Sequence, residues 1–265
     1  MSGDSATNVL LGTLRRRQCR HGQMVYFAHD KYIGRSLDLY GEYSEGEIVL
    51  FDRLVKPGMT VVEVGANIGC HTVFLAKKVG AEGRMIAIEA QGMLYRVLQT
   101  NLSLNGLDRV TALHCGCGAR QGTLDFPAID YTDPANFGGM SLADASTGET
   151  VPVLPLDALD LHRCDFIKID VEGMETEVIA GAVRLLEECR PVLYVENDRF
   201  ENQRMLMDRI AAHGYRLYSH CPPLFNKDNF LGNEMNVFGA IQSLNMLCIP
   251  ENSSLDLSAL GIRAL

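Results

Sequence analysis

Residues 61–72 read VVEVGANIGCHT: an apolar, β-branched run, a turn holding Gly65 and Gly69, and the start of a segment of helical period. Strand, glycine turn and helix in that order mark the place where a doubly wound α/β sheet receives a nucleotide-like ligand, at the carboxyl end of its first strand. The same alternation continues downstream. Short, nearly continuous apolar runs at 60–64, 84–89, 110–115, 165–170 and 192–196 predict strands covered on both faces. Between them, 71–79, 93–104, 174–186 and 203–213 space apolar residues by three and four, with Gly80, Gly106 and Gly214 where helices end. The pattern predicts an α/β fold with a doubly wound, mostly parallel sheet.

The turn narrows the ligand. A dinucleotide fingerprint GxGxxG starting at Gly65 needs glycines where this chain has Asn67 and Cys70. Instead Glu63 ends the strand, and the small residues Gly65, Ala66 and Gly69, with Asn67 among them, allow backbone to approach a ligand closely. An acid there repels a pyrophosphate and attracts an ammonium or sulfonium group. Glu89 ends the second strand, in position to accept hydrogen bonds from both hydroxyls of a ribose. Together they point to an adenosine ligand with a cationic tail, and S-adenosylmethionine is such a molecule. An NAD-type oxidoreductase and a non-catalytic adenosine-cofactor-binding module are the rival occupants of a Rossmann-like fold.

Six segments in order carry a resemblance: EVGANIG (63–69), IEA (88–90), NLSLNGL (101–107), LDAL (156–159), FIKIDVEGMETEVIAGA (166–182) and RPVLYVEN (190–197). With them the chain resembles FkbM-type methyltransferases of the class I S-adenosylmethionine-dependent fold, over residues 40–250. The resemblance implies a seven-stranded sheet, cofactor binding by the Glu63 to Gly69 turn and by Glu89, and O-methylation of a hydroxyl on a sugar, natural product or related small molecule. It also implies adenine contacts after the third strand, at Cys115 and Gly116. The chain departs from the family pattern at Glu63, where Asp is commoner, at His71, where an aromatic is commoner, and at Ala90, which replaces a proline beside the ribose acid.

Methyl transfer from a sulfonium is an in-line displacement, so much of its catalysis comes from alignment. An alcohol acceptor must also lose its proton, to a positioned base or under the influence of a cation. FIKIDVEG (166–173) ends the fourth strand in Asp170, which the architecture places beside the cofactor, and LYVEND (193–198) ends the fifth in Glu196, Asn197 and Asp198. In the expected sheet order these two strands are neighbours, about 5 Å apart, so their ends should meet. Carboxylates that close raise each other's pKa unless a cation compensates. Asp170, Glu196 and Asn197 form a hard-oxygen set suited to Mg2+ or another divalent cation. Asp170, Glu172 and Glu196 are the catalytic candidates. Glu172 with Gly173 suits equally the start of the next helix, where acids are favoured, and His71 is either a base or a packed residue.

The rest of the chain is less specific. A net charge of −9 over 265 residues opposes nonspecific binding to nucleic acid or anionic membrane, and leaves a small-molecule acceptor with a hydroxyl group as the expected partner. Arg15, Arg16, Arg17 and Arg20 read as a solvated charge run. Eight cysteines without a CxxC pair suggest free thiols in a reducing compartment. No apolar run is long enough to span a bilayer and no signal peptide is evident, so the cytoplasm is the expected location. The expected division is an accessory segment at 1–44, a methyltransferase domain at 45–250 and a tail at 251–265 that reads as short helix or disorder. In the accessory segment, 23–28 reads as a strand and 1–22 shows no period. Residues 44–55 predict a helix with Ser44 and Glu47 as a capping box. Tyr43 before it either stacks on the cofactor or packs. The insertion at 116–161 predicts short strands and a loop, NFGGMS (136–141), whose Asn136 and Ser141 are candidates to cover the cofactor. Late strands are expected at 215–220, 236–241 and 245–250.

Overall fold

The computed structural model describes residues 12–139, 148–255 and 262–265. The chain opens with a hairpin, β1 (Leu14–Cys19) and β2 (Gly22–Phe27), then α1 (Ile33–Tyr40) and α2 (Glu45–Leu54). The alternating segment follows as β3 (Thr60–Val64), α3 (Cys70–Val79), β4 (Arg84–Glu89), α4 (Gly92–Leu104) and β5 (Thr111–His114). The insertion supplies β6 (Gly116–Cys117), β7 (Gly122–Pro127), β8 (Gly148–Leu154) and a 3-10 turn at Leu156–Leu159. After it come β9 (Phe166–Ile169), α5 (Glu175–Ala180), α6 (Val183–Glu188), β10 (Val192–Glu196), α7 (Gln203–Ala212), β11 (Tyr215–His220), β12 (Asn245–Pro250) and β13 (Arg263–Ala264).

The main sheet runs β13-β11-β12-β10-β9-β3-β4-β5. It is the expected seven-stranded, mostly parallel sheet with a two-residue strand, β13, added at one edge. Strands β5, β4, β3, β9 and β10 are parallel, and β12 is inserted antiparallel between β10 and β11. Every residue of β3, β9 and β12 is buried, which is why their sequences do not alternate. Val62, Val64, Ile167, Ile169, Leu193 and Val195 face one layer of helices, α5 to α7. Val61, Ala87, Phe166 and Tyr194 face the other, α2 to α4. Each Val, Leu or Ile side chain among them contributes about 1.5–3 kcal/mol by leaving water.

Five expectations change. The tail, expected as short helix or disorder, supplies β13, paired antiparallel with β11. The helix expected over 174–186 is two helices, because the turn at Gly181 lies where a Cβ would meet the Gly118 carbonyl oxygen at 2.1 Å. Asp157 restarts the chain by accepting the N–H groups of Arg184 (2.9 Å) and Leu185 (3.0 Å). Residues 236–241 form no strand: Asn236 Oδ1 accepts Phe238 N (3.0 Å) and Gly239 N (2.9 Å), a side-chain turn that competes with a ladder. Ser44 directs its hydroxyl to Glu47 Oε1 (2.7 Å) instead of to backbone, so the capping box does not form. The arginine run is not wholly solvated, since Arg15 pairs with Asp38 (2.7 Å) and Arg20 with buried Glu42 (2.6 Å), within and just after β1. No helix among the described residues is long and apolar enough to cross a membrane.

Candidate functional site

A cavity of about 490 Å³ opens at the carboxyl ends of β3, β4, β9 and β10. Its floor is the turn after β3. Gly65 has φ +83, and a Cβ there would lie 1.7 Å from the Asp170 carbonyl oxygen, so only glycine fits. The N–H groups of Gly65 and Ala66 both bond the Ile88 carbonyl at 2.9 Å, holding β3 and β4 together at their ends. Asn67, also at positive φ, donates its backbone N–H to Glu89 Oε2 (2.7 Å), and Gln91 N donates to Oε1 (2.8 Å). Glu89 is thus held from two sides. A carboxylate has about four acceptor positions, so these hydrogen bonds do not exhaust it. Burial pushes its pKa up to about 7 against those hydrogen bonds.

Glu63, expected to face a cationic ligand, is engaged within the protein. It is 1% exposed. Thr72 Oγ1 donates to its Oε2 (2.6 Å), and Lys168 Nζ lies 3.8 Å from its Oε1. Burial raises its pKa to about 7, and Lys168 opposes the rise. His71 is buried at the start of α3, with Nδ1 4.0 Å from Glu63 Oε1 and Nε2 4.0 Å from Glu47 Oε2. That Nε2 has no hydrogen-bond partner, and burial holds the ring neutral, well below its ordinary pKa.

At the ends of β9 and β10, beside the Gly65 turn, Asp170, Glu172 and Glu196 bring carboxylate oxygens within 4.8 Å of one another. Asp170 follows β9 and accepts from Lys168 Nζ at 2.9 Å. Glu172 has φ +56, a left-handed turn that carries its side chain to the cluster, where Arg199 pairs with it. Glu196 ends β10, and its Oε2 is buried without a hydrogen bond. Burial first, then Asp170, raises the pKa of both Glu172 and Glu196.

Glu63, Gly65, Ala66, Asn67, Glu89, Ala90, Cys115, Gly116, Asp170 and Tyr43 therefore reach one cavity, as does Asn136. Two expected residues do not. Gly69 turns toward α4, where a Cβ would meet Leu98 Cδ1 at 2.6 Å, and serves as the N-cap of α3. Asn197 does not line the cavity, its N–H bonding the Leu244 carbonyl (2.8 Å) and its own carbonyl accepting Gln203 Nε2 (2.7 Å), and Glu172 is the third carboxylate beside Asp170 and Glu196. Ser141 lies outside the described residues. Asp198, read with Glu196 and Asn197 at the end of the fifth strand, lines the cavity as well, and unforeseen members are Glu47, Lys168 and Arg199. Lys168 had a signal, a lysine inside an otherwise apolar strand run; the other two had none.

A family model described as the Methyltransferase FkbM domain matches residues 63–217. Methyltransferase sdnD of Sordaria araneosa is 31% identical over 154 residues, covering 46% of this chain and 59% of the relative. Methyltransferase 1 of Beauveria bassiana is 22% identical over 143 residues, covering 46% and 57%. The chain thus spans less than two thirds of either curated relative. Among solved structures, Methyltransferase FkbM from Methylobacillus flagellatus KT aligns with a TM-score of 0.49 at 17% identity, covering 76% of this chain and 50% of that one.

Proposed function

The chain belongs to the FkbM methyltransferase family, and from that premise we propose that it O-methylates a hydroxyl group on a sugar, natural product or related small molecule, with S-adenosylmethionine as methyl donor. The observation that carries this reading is the meeting, in one cavity, of the Gly65 turn, Glu89 and the Asp170 carboxylate. S-adenosylmethionine supplies a methyl group on a sulfonium, the electrophile for such a transfer. The chain's own part is to bind, align and take a proton. Backbone at Gly65 to Asn67 allows close approach, and Glu89 offers its remaining acceptor positions to ribose hydroxyls. Asp170 keeps Oδ2 on Lys168, and its Oδ1 would take the hydroxyl proton as the acceptor oxygen displaces the thioether sulfur from the methyl carbon, releasing S-adenosylhomocysteine.

Asp170, Glu172 and Glu196 also fit a divalent cation. Their oxygens converge within 4.8 Å, and the unpartnered Glu196 Oε2 is a buried acceptor that such an ion would satisfy. Held there, the ion would lower the pKa of an acceptor hydroxyl.

Calorimetry tests the cofactor: S-adenosylhomocysteine binds and NAD does not, and tight binding of NAD alone would favour an oxidoreductase. Methyl-labelled S-adenosylmethionine with a panel of hydroxylated acceptors tests transfer. Binding with no transfer to any acceptor would favour a non-catalytic module. Asp170→Asn should cut turnover by about 10² or more with cofactor affinity retained; full activity in that variant removes Asp170 from the mechanism. A rate unchanged by exhaustive chelation eliminates the cation and leaves the base.

A further inference from the structure

Strands β3, β9 and β10 present two successive rungs toward α2 and α3. The register sets Glu63, Lys168 and Tyr194 side by side. Two residues along, on the same face, come Gly65, Asp170 and Glu196. Lys168 therefore lies one rung below Asp170, under the turn that floors the cavity. Its side chain is 3% exposed, with Nζ 2.9 Å from Asp170 Oδ2 and 3.8 Å from Glu63 Oε1. Glu47 of α2 faces the same ammonium, and His71 of α3, held neutral by burial, lies beyond Glu63.

A lysine this buried is costly unless carboxylates compensate it, and here Asp170, Glu63 and Glu47 together hold it charged. An ammonium placed only to neutralise Glu63 would make its hydrogen bond there. Lys168 stands off Glu63 and bonds Asp170 instead. Among the described residues it is the side chain that donates to the Asp170 carboxylate, which is otherwise open to the cavity at 37% exposure.

We propose that Lys168 is a positioning residue of the methyl-transfer site: its ammonium, seated over Glu63 beneath the glycine turn, fixes Asp170 Oδ2 and so sets where Oδ1 meets the acceptor hydroxyl. The inference rests on the assignment of Asp170 as the proton acceptor. Its rival is plain charge neutralisation of Glu63, and the two part in a charge-balanced variant. At about pH 8.5, above the folded pKa of Glu63, Lys168→Met combined with Glu63→Gln removes one charge of each sign, so neutralisation alone predicts an unchanged Asp170.

The experiment compares wild type, Lys168→Met and Lys168→Met/Glu63→Gln, each crystallised with S-adenosylhomocysteine, with calorimetry of that ligand as the control for an intact fold. The expected result is a Lys168→Met variant that binds S-adenosylhomocysteine within about threefold of wild type and a double variant that still binds it, while in both the Asp170 carboxylate leaves its wild-type rotamer. On whichever panel hydroxyl the wild type methylates, turnover of Lys168→Met falls about tenfold or more at that retained cofactor affinity, the signature of lost alignment. An Asp170 rotamer retained in the double variant overturns the proposal. So does failure of both Met variants to fold, which would make the lysine a structural residue. Failure of the O-methylation reading looks different: a wild type that binds the cofactor product and methylates no hydroxyl, with the rotamer comparison still decisive.

Discussion

At the scale of single residues, the site depends on Gly65. Its φ of +83 and the 1.7 Å that would separate a Cβ from the Asp170 carbonyl leave no accommodation, because the clashing atom is backbone held by the Asp170 N–H to Val64 O bond of 3.0 Å. Gly65→Ala should therefore push β3 and β9 apart at their carboxyl ends, cost about 2–4 kcal/mol and weaken S-adenosylhomocysteine binding about tenfold or more. Chemical denaturation and calorimetry check both, and a stable, tight-binding variant would mean that the turn is not the cofactor floor. Gly65 was legible in the sequence because a small residue after an apolar strand has few other uses. Lys168 and Asp170 were harder to connect. Alternation makes them face-mates, yet which residue of β3 stands beside Lys168 is a matter of strand register, and one apolar run matches another in several registers equally well. For Glu172 the deciding quantity was the direction of a side chain in a turn, and a left-handed Glu172 has no marker in the sequence.

At the scale of elements, the end of β4 has a consequence for pH. The Glu89 carboxyl, ordinarily near 4.5, is raised by burial to about 7 in the folded chain. A folded value above the unfolded one means that the native state binds the proton more tightly. The contribution to stability is complete below about 4.5 and is lost as pH rises through about 7. Glu63 acts in the same direction, with a folded value also about 7. Urea denaturation of the ligand-free protein should show stability falling from about pH 5 to about pH 8, and Glu89→Gln should remove about 1–3 kcal/mol of that fall. The same variant should bind S-adenosylhomocysteine more weakly, since an amide offers fewer acceptor positions than a carboxylate. A slope unchanged by the substitution would place the titration elsewhere. The strands β3, β4, β9 and β10 were legible because burial on both faces leaves long apolar runs. The break between α5 and α6 was not, because Gly181 and Asp157 act through a chain segment distant in sequence, and 236–241 has the apolar content of a strand with the turn chemistry of Asn236.

At the scale of the whole molecule, the first hairpin is the part the sequence disclosed least, and it is bound to the main sheet's α2 to α4 side by side chains at the end of α4. Asn101, fully buried, donates Nδ2 to the carbonyls of Val25 (3.0 Å) and Ile68 (2.8 Å) and accepts Val25 N–H at 2.6 Å. Asn105 repeats the pattern one turn on, accepting Gln23 N–H (3.1 Å) and donating to its carbonyl (2.8 Å). The two asparagines complete the edge of β2 as a neighbouring strand would. From the hairpin the link continues to the cavity: Asp30 accepts Tyr32 N (3.0 Å), Gly34 N (2.9 Å) and Phe137 N (3.2 Å), joining the segment before α1 to the loop that carries Asn136. Asn101→Ala leaves the Val25 N–H and two buried carbonyls without partners, each a lost desolvated hydrogen bond, so it should cost about 2–4 kcal/mol. Because Ile68 lies in the glycine turn, the loss reaches the cofactor floor as well as the hairpin. Native-state hydrogen exchange gives the sharper reading: the amides of Gln23 and Val25 should exchange faster in the variant while those of β9 and β10 change only with global stability. Uniform acceleration at all of them would show that hairpin and sheet open as one unit, and unchanged protection at Val25 would show that Asn101 does not hold the hairpin.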